Sequence, residues 1–167
     1  STVTCTYTVA ASQDSTDLAV TSITAGDTVD DIGNPLDVTL PITPTLLEDN
    51  KDLVVDTTAP QIQSIDSSTG TGTYKESDVI NIEVTFTEPV TAGAGSSIDL
   101  DSGATVVYLS GDGTAVLTYQ YTVAASEDSL DLDLVGFNAN SITDLVGNAL
   151  DNTLPAAPND LLTAQDI

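Results

Sequence analysis

The chain has 167 residues and carries 26 acidic side chains against two basic ones, Lys51 and Lys75, for a net charge of −24. Such a surface repels phosphate and anionic lipid, which argues against nucleic acid and against membrane association, and no apolar run approaches the roughly 20 residues of a membrane span. The absence of His excludes histidine metal sites and histidine acid–base catalysis, and a single cysteine, Cys5, excludes an intrachain disulfide or a thiolate zinc cluster.

In chain order, Val3, Cys5, Tyr7 and Val9 alternate with Thr4, Thr6 and Thr8, the period of a half-buried strand. The stretch around Asp30-Asp-Ile-Gly-Asn-Pro-Leu-Asp37 reads as a turn. A short strand is expected at Ile62–Ile65 and a longer one at Ile80–Phe86, where Ile80, Ile82, Val84 and Phe86 alternate with polar residues. Another short strand is expected at Ser97–Leu100. Ala104–Ser110 and Thr114–Val123 flank Gly111-Asp112-Gly113, a hairpin signal in which glycine supplies positive φ. Leu132–Val135 follows as a further strand, and Thr143-Asp-Leu-Val-Gly-Asn148 as a closing turn. Thr and Val favour strands while Asp, Asn and Gly favour turns, so the expected class is all-β with almost no helix. An apolar content of 40% is enough for a core, so the acidity does not signal disorder. A chain without Met is expected to be a fragment or a processed product.

An internal repeat organises these elements. Tyr7-Thr-Val-Ala-Ala-Ser-Gln-Asp-Ser15 recurs as Tyr121-Thr-Val-Ala-Ala-Ser-Glu-Asp-Ser129, Asp30–Asp37 recurs as Asp144–Asp151, and Thr39-Leu-Pro41 as Thr153-Leu-Pro155. The offset is 114 throughout, and 20 of the 41 positions in residues 1–41 are identical in residues 115–155. A period this long exceeds a solenoid repeat and matches a whole β-sandwich domain of about 100 residues. Residues 1–55 therefore read as the C-terminal half of a repeat plus a linker, and residues 56–167 as a complete repeat of about seven strands.

The motifs Asp56-Thr-Thr-Ala-Pro60, Thr87-Glu-Pro-Val90 and Ile142-Thr-Asp-Leu-Val-Gly-Asn-Ala-Leu-Asp151, in this order around the strands above, resemble the immunoglobulin-like tandem repeats of giant bacterial cell-surface proteins. Those include biofilm adhesins and the surface proteins of swimming cyanobacteria. The resemblance covers residues 56–151 and, through the repeat, 1–41. It implies an immunoglobulin-like β-sandwich, an extracellular, cell-surface location, a stalk-like role in cell adhesion and, often, dependence on calcium. Domains of this kind sometimes carry a Lys–Asn isopeptide crosslink catalysed by a carboxylate; Lys75, Asn148 and Glu88 supply the residue types.

The acidic residues gather in turns, and clustered carboxylates with Asn oxygens are the donors that calcium takes. The candidate ligands are Asp56 in the linker, Glu88 after the long strand, and Asp144 with Asn148 in the closing turn; Asp30 and Asn34 repeat that turn in the half unit. The competing reading is that Asp and Asn simply shape turns while Gly supplies the left-handed residue, and adaptation to high salt is a second possible cause of the acidity. Cys5, on the inward phase of its strand, is expected to be a small buried hydrophobe. No enzyme is expected, because carboxylate pairs arise freely in so acidic a chain. The expected function is a calcium-stabilised structural spacer, and the expected partners are neighbouring repeats or identical chains. The alternatives are a filament or surface-layer subunit completed by strand addition between chains, and a module that binds a glycan or another cell-surface ligand.

Overall fold

The computed structural model describes residues 3–164 and 167. The chain forms two compact units, divided between Thr58 and Ala59. The second unit is all-β. Its strands are β1 (Ile62–Ser67), β2 (Val79–Thr91), β3 (Ser97–Leu100), β4 (Thr105–Ser110), β5 (Thr114–Thr122), β6 (Leu134–Asn138) and β7 (Thr143–Asp144). They join in the order β1-β2-β5-β4-β3-β6, with β7 paired to β2, and every pair is antiparallel.

The core follows from alternation. Ile80, Ile82, Val84 and Phe86 of β2 are buried, and so are Leu117, Tyr119 and Tyr121 of β5. The register places Ile80 opposite Tyr121, Ile82 opposite Tyr119 and Val84 opposite Leu117, so two inward stripes lie side by side in one sheet. The sheet then curls until β6 lies across from this pair. Phe137 of β6 meets Phe86 and Tyr119 edge to face, with ring centroids 6.4 and 6.0 Å apart.

The turn between β4 and β5 depends on glycine. Gly111 has φ +110°, and a Cβ there would lie 2.0 Å from the Val116 carbonyl oxygen.

Three details differ from the alternation pattern. β2 is far longer than its apolar stripe, because it continues through a register break between Thr85 and Val90. Pro89 is tolerated there, where no ladder bond is required of it. β6 begins at Leu134, two residues later than the apolar pattern suggests. Leu132 is buried, but its N–H donates to the Ile167 carbonyl, and Asp133 N–H donates to Asp101, so pairing with β3 starts only at Leu134. β7 is two residues long and carries no periodic signal.

The first unit contains one helical turn, α1 (Leu47–Asn50), and isolated bridges at Ser15–Val55 and Val29–Pro35; no extended strand is present among its described residues. A matching helical turn in the second unit, α2 (Leu161–Ala164), sits 114 residues on. Other details keep the same offset. Tyr7 Oη and Ala10 N both donate to Gln13, as Tyr121 Oη and Ala124 N donate to Glu127. Ser12 and Ser126 share a left-handed backbone, φ 63° and 68°.

The repeat fails in burial. Val3 is 75% and Tyr7 51% exposed, whereas their copies Leu117 and Tyr121 are 0% and 4% exposed. Cys5 is exposed as well, which corrects the expectation of a buried hydrophobe. The alternation is present in residues 3–9, but an alternating segment buries a face only when a second layer covers it, and this stretch has no β2 of its own.

Candidate metal centre

The candidate site is assembled by the path of the chain around one end of β2. Within β2, Glu88 falls inside the register break between Thr85 and Val90, and a break of this kind re-aims a side chain. Just beyond it, β7 pairs Asp144 with Val90. The lead-in to β1 is held alongside: Thr87 N donates to the Gln61 carbonyl, Gln61 N donates to Thr87 Oγ1, and Asp151 N donates to the Pro60 carbonyl. Carboxylate oxygens of Glu88 and Asp144, both in the second unit, then lie within 4.8 Å of one another; Asp56 is a residue of the first unit. Asp56 and Glu88 are half-buried and Asp144 is buried.

Asp144 is fixed by its own turn. Its Oδ1 accepts from the backbone N–H groups of Val146 (2.9 Å), Gly147 (2.7 Å) and Asn148 (2.8 Å), and its Oδ2 accepts from Asn148 Nδ2 at 2.7 Å. Gly147 makes this possible with φ +103°. Burial pushes the Asp144 carboxyl up, but the four donors outweigh it and hold the group below the usual carboxylate range. It is therefore ionised at neutral pH. Three donors saturate Oδ1, so Oδ2, with one donor, is the oxygen left with capacity for a cation.

Asn148 thus enters the site as the residue that orients Asp144. The same turn recurs in the first unit. Asp30 Oδ1 accepts from Ile32 N and Asn34 N, and Oδ2 from Asn34 Nδ2. The Asn34 side chain, then its backbone N–H, hold the Asp30 carboxyl low. Asp30 and Asn34 are exposed, and the structure brings no group of potential ligands around them among the described residues. There, the turn-forming role of Asp and Asn accounts for both residues.

The donor set is made of hard oxygens, which suits calcium or magnesium and not the softer transition metals. Two carboxylates leave most of calcium's six to eight positions to backbone carbonyls, water and further donors. Lys75 bonds Asp78 at 3.0 Å and is largely exposed, and Asn148 Nδ2 donates to Asp144 Oδ2.

A further contact had no counterpart in the sequence reading. Asp14 Oδ1 accepts from Thr57 N (2.6 Å) and Thr57 Oγ1 (2.8 Å), and its Oδ2 from Thr58 Oγ1 (3.0 Å). These bonds, led by that from the Thr57 backbone, hold the Asp14 carboxyl low. The signal available was the repetition of Asp14 as Asp128, which composition alone makes look like one turn acid among many.

No protein-family model matches the chain, and no curated protein or solved structure matches it either. Among the described residues no helix is long and apolar enough to cross a membrane.

Proposed function

We propose that the chain is a structural repeat of an extracellular bacterial adhesin or surface stalk, stabilised by calcium. The observation that carries this reading is the recurrence, 114 residues apart, of whole hydrogen-bonded devices: the Asp30 and Asp144 turns, the Tyr7–Gln13 and Tyr121–Glu127 braces, and the two helical turns. Repetition at this level is what an array of one module requires, and neither a catalytic nor a recognition site requires it. The charge of −24 keeps such modules soluble and mutually repelling. Calcium bound by Glu88 and Asp144 would neutralise charge locally and tie β2 to β7. The seven-stranded, curled sheet supports the immunoglobulin-like part of the reading at the level of architecture.

A second reading is a filament or surface-layer subunit completed by strand addition between chains. The exposure of Val3, Tyr7 and Val9, whose copies lie against a covered layer, favours it, because an uncovered apolar stripe invites association. Light scattering across a wide concentration range separates the two. The spacer reading expects a constant mass near 17.1 kDa. A mass that climbs with concentration, and falls when Val3 and Val9 are changed to Asp, selects the filament.

A further inference from the structure

In the first unit a strand-like segment is gripped in a specific way. Ser15 and Val55 exchange two backbone hydrogen bonds of 2.8 Å, Leu18 N donates to the Leu53 carbonyl at 2.8 Å, and the Asp14 carboxylate accepts the Thr57 N–H and the hydroxyls of Thr57 and Thr58. The carboxylate and the main-chain pairing together read a short pattern: an extended residue, then, after one residue, two threonines.

The same device stands 114 residues on. Asp128 and Ser129 replace Asp14 and Ser15, and the counterpart of the Leu18–Leu53 bond is present, Leu132 N donating to the Ile167 carbonyl at 2.8 Å. Asp128 and Ser129 are exposed, and no described residue donates to the Asp128 carboxylate. They border an open cavity of about 540 Å³, with Tyr74, Tyr121, Glu127 and Ile167 among its walls.

We propose that Asp128 and Ser129 form a clasp that receives the lead-in segment of a further unit, an extended chain of the kind Val54-Val-Asp-Thr-Thr58. The occupant is fixed by the filled copy: main-chain pairing at Ser129, two hydroxyls and one N–H on Asp128. The inference rests on the reading of the chain as one module of an array, and it assigns the joint between modules to a carboxylate–threonine contact.

The test is a titration of the full chain, labelled with nitrogen-15, with a synthetic peptide of residues 52–60, in about 0.5 M sodium chloride to screen repulsion between two acidic partners. Amide shifts are expected at Asp128, Ser129 and their neighbours, and little change at Asp14 and Ser15, whose partner is already in place. Asp128→Ala, or a peptide with Val at both threonine positions, is expected to weaken binding by at least about tenfold, the loss appropriate to charge-assisted hydrogen bonds. No shifts up to millimolar peptide, shifts centred elsewhere, or equal binding by the valine peptide would each overturn the clasp. The response of the melting transition to calcium is measured separately on the same chain and stays unaltered if the clasp alone is wrong.

Discussion

Replacing Tyr119 by alanine is expected to destabilise the second unit by about 3–5 kcal/mol, the range for emptying a fully buried aromatic site. Tyr119 is completely buried, and its ring meets Tyr108 and Phe137 edge to face at 6.4 and 6.0 Å. A loss of that size is a large part of the 5–15 kcal/mol that holds a typical domain. Tyr119→Phe keeps the ring contacts and is expected to change stability by less than about 1.5 kcal/mol. Burial pushes the Tyr119 phenol up to about 12, so the hydroxyl is neutral and phenylalanine removes no charge. The informative comparison is Cys5, at the equivalent repeat position. Cys5 is exposed, and Cys5→Ala is expected to leave the unfolding midpoint in urea where it was. If Tyr119→Ala and Cys5→Ala had equal effects, residues 3–9 would have to be covered in solution.

Asp144→Ala is expected to cost about 3 kcal/mol or more, because it removes a buried carboxylate that accepts from three N–H groups. Asp144 is only 2% exposed, so water does not readily replace the carboxylate. Asp30→Ala removes the same kind of acceptor from an exposed turn, where water takes over, and its midpoint in urea is expected to stay close to that of the unaltered chain. Measured in chelator, this pair separates the architectural work of Asp144 from any part it has in holding a cation. Equal loss at the two positions would contradict the role assigned to the burial of the Asp144 carboxylate.

Much of the fold was legible because the relevant information is local. The alternation of Ile80, Ile82, Val84 and Phe86 marks β2, and the two glycines around Asp112 mark the β4–β5 hairpin. The repeat was legible because residues 7–15 and 121–129 are nearly the same words. Tertiary information was not. β7 exists only because Val90 offers it an edge, and β6 starts late only because Asp101 and Ile167 engage the residues before it. Cys5 carries an inward phase, yet phase says nothing about whether a second layer is present. The candidate site divides in the same way. Asp56, Glu88, Asp144, Asn148, Asp30 and Asn34 are all nameable as oxygen donors from the sequence. Which of them meet is decided by the β2 register break and the Val90–Asp144 pairing, so Glu88 and Asp144 converge while Asp30 and Asn34 form an exposed turn. The Asp14 contact with Thr57 and Thr58 spans more than 40 residues of chain and leaves no periodic trace.

The central claim, a module stabilised by calcium through Glu88 and Asp144, is tested most directly by thermal melting of the full chain in 10 mM calcium, in chelator, and in sodium chloride of matched ionic strength. A cation bound only by the folded state raises stability by mass action, and a dissociation constant of about 10⁻⁴–10⁻³ M, usual for extracellular modules, gives about 1.4–2.7 kcal/mol. For a domain of this size that is a rise of about 5 °C or more over matched sodium, and Glu88→Gln is expected to shrink it. Equal midpoints in calcium and in matched sodium would contradict the claim and leave the acidic residues to turn formation and general screening.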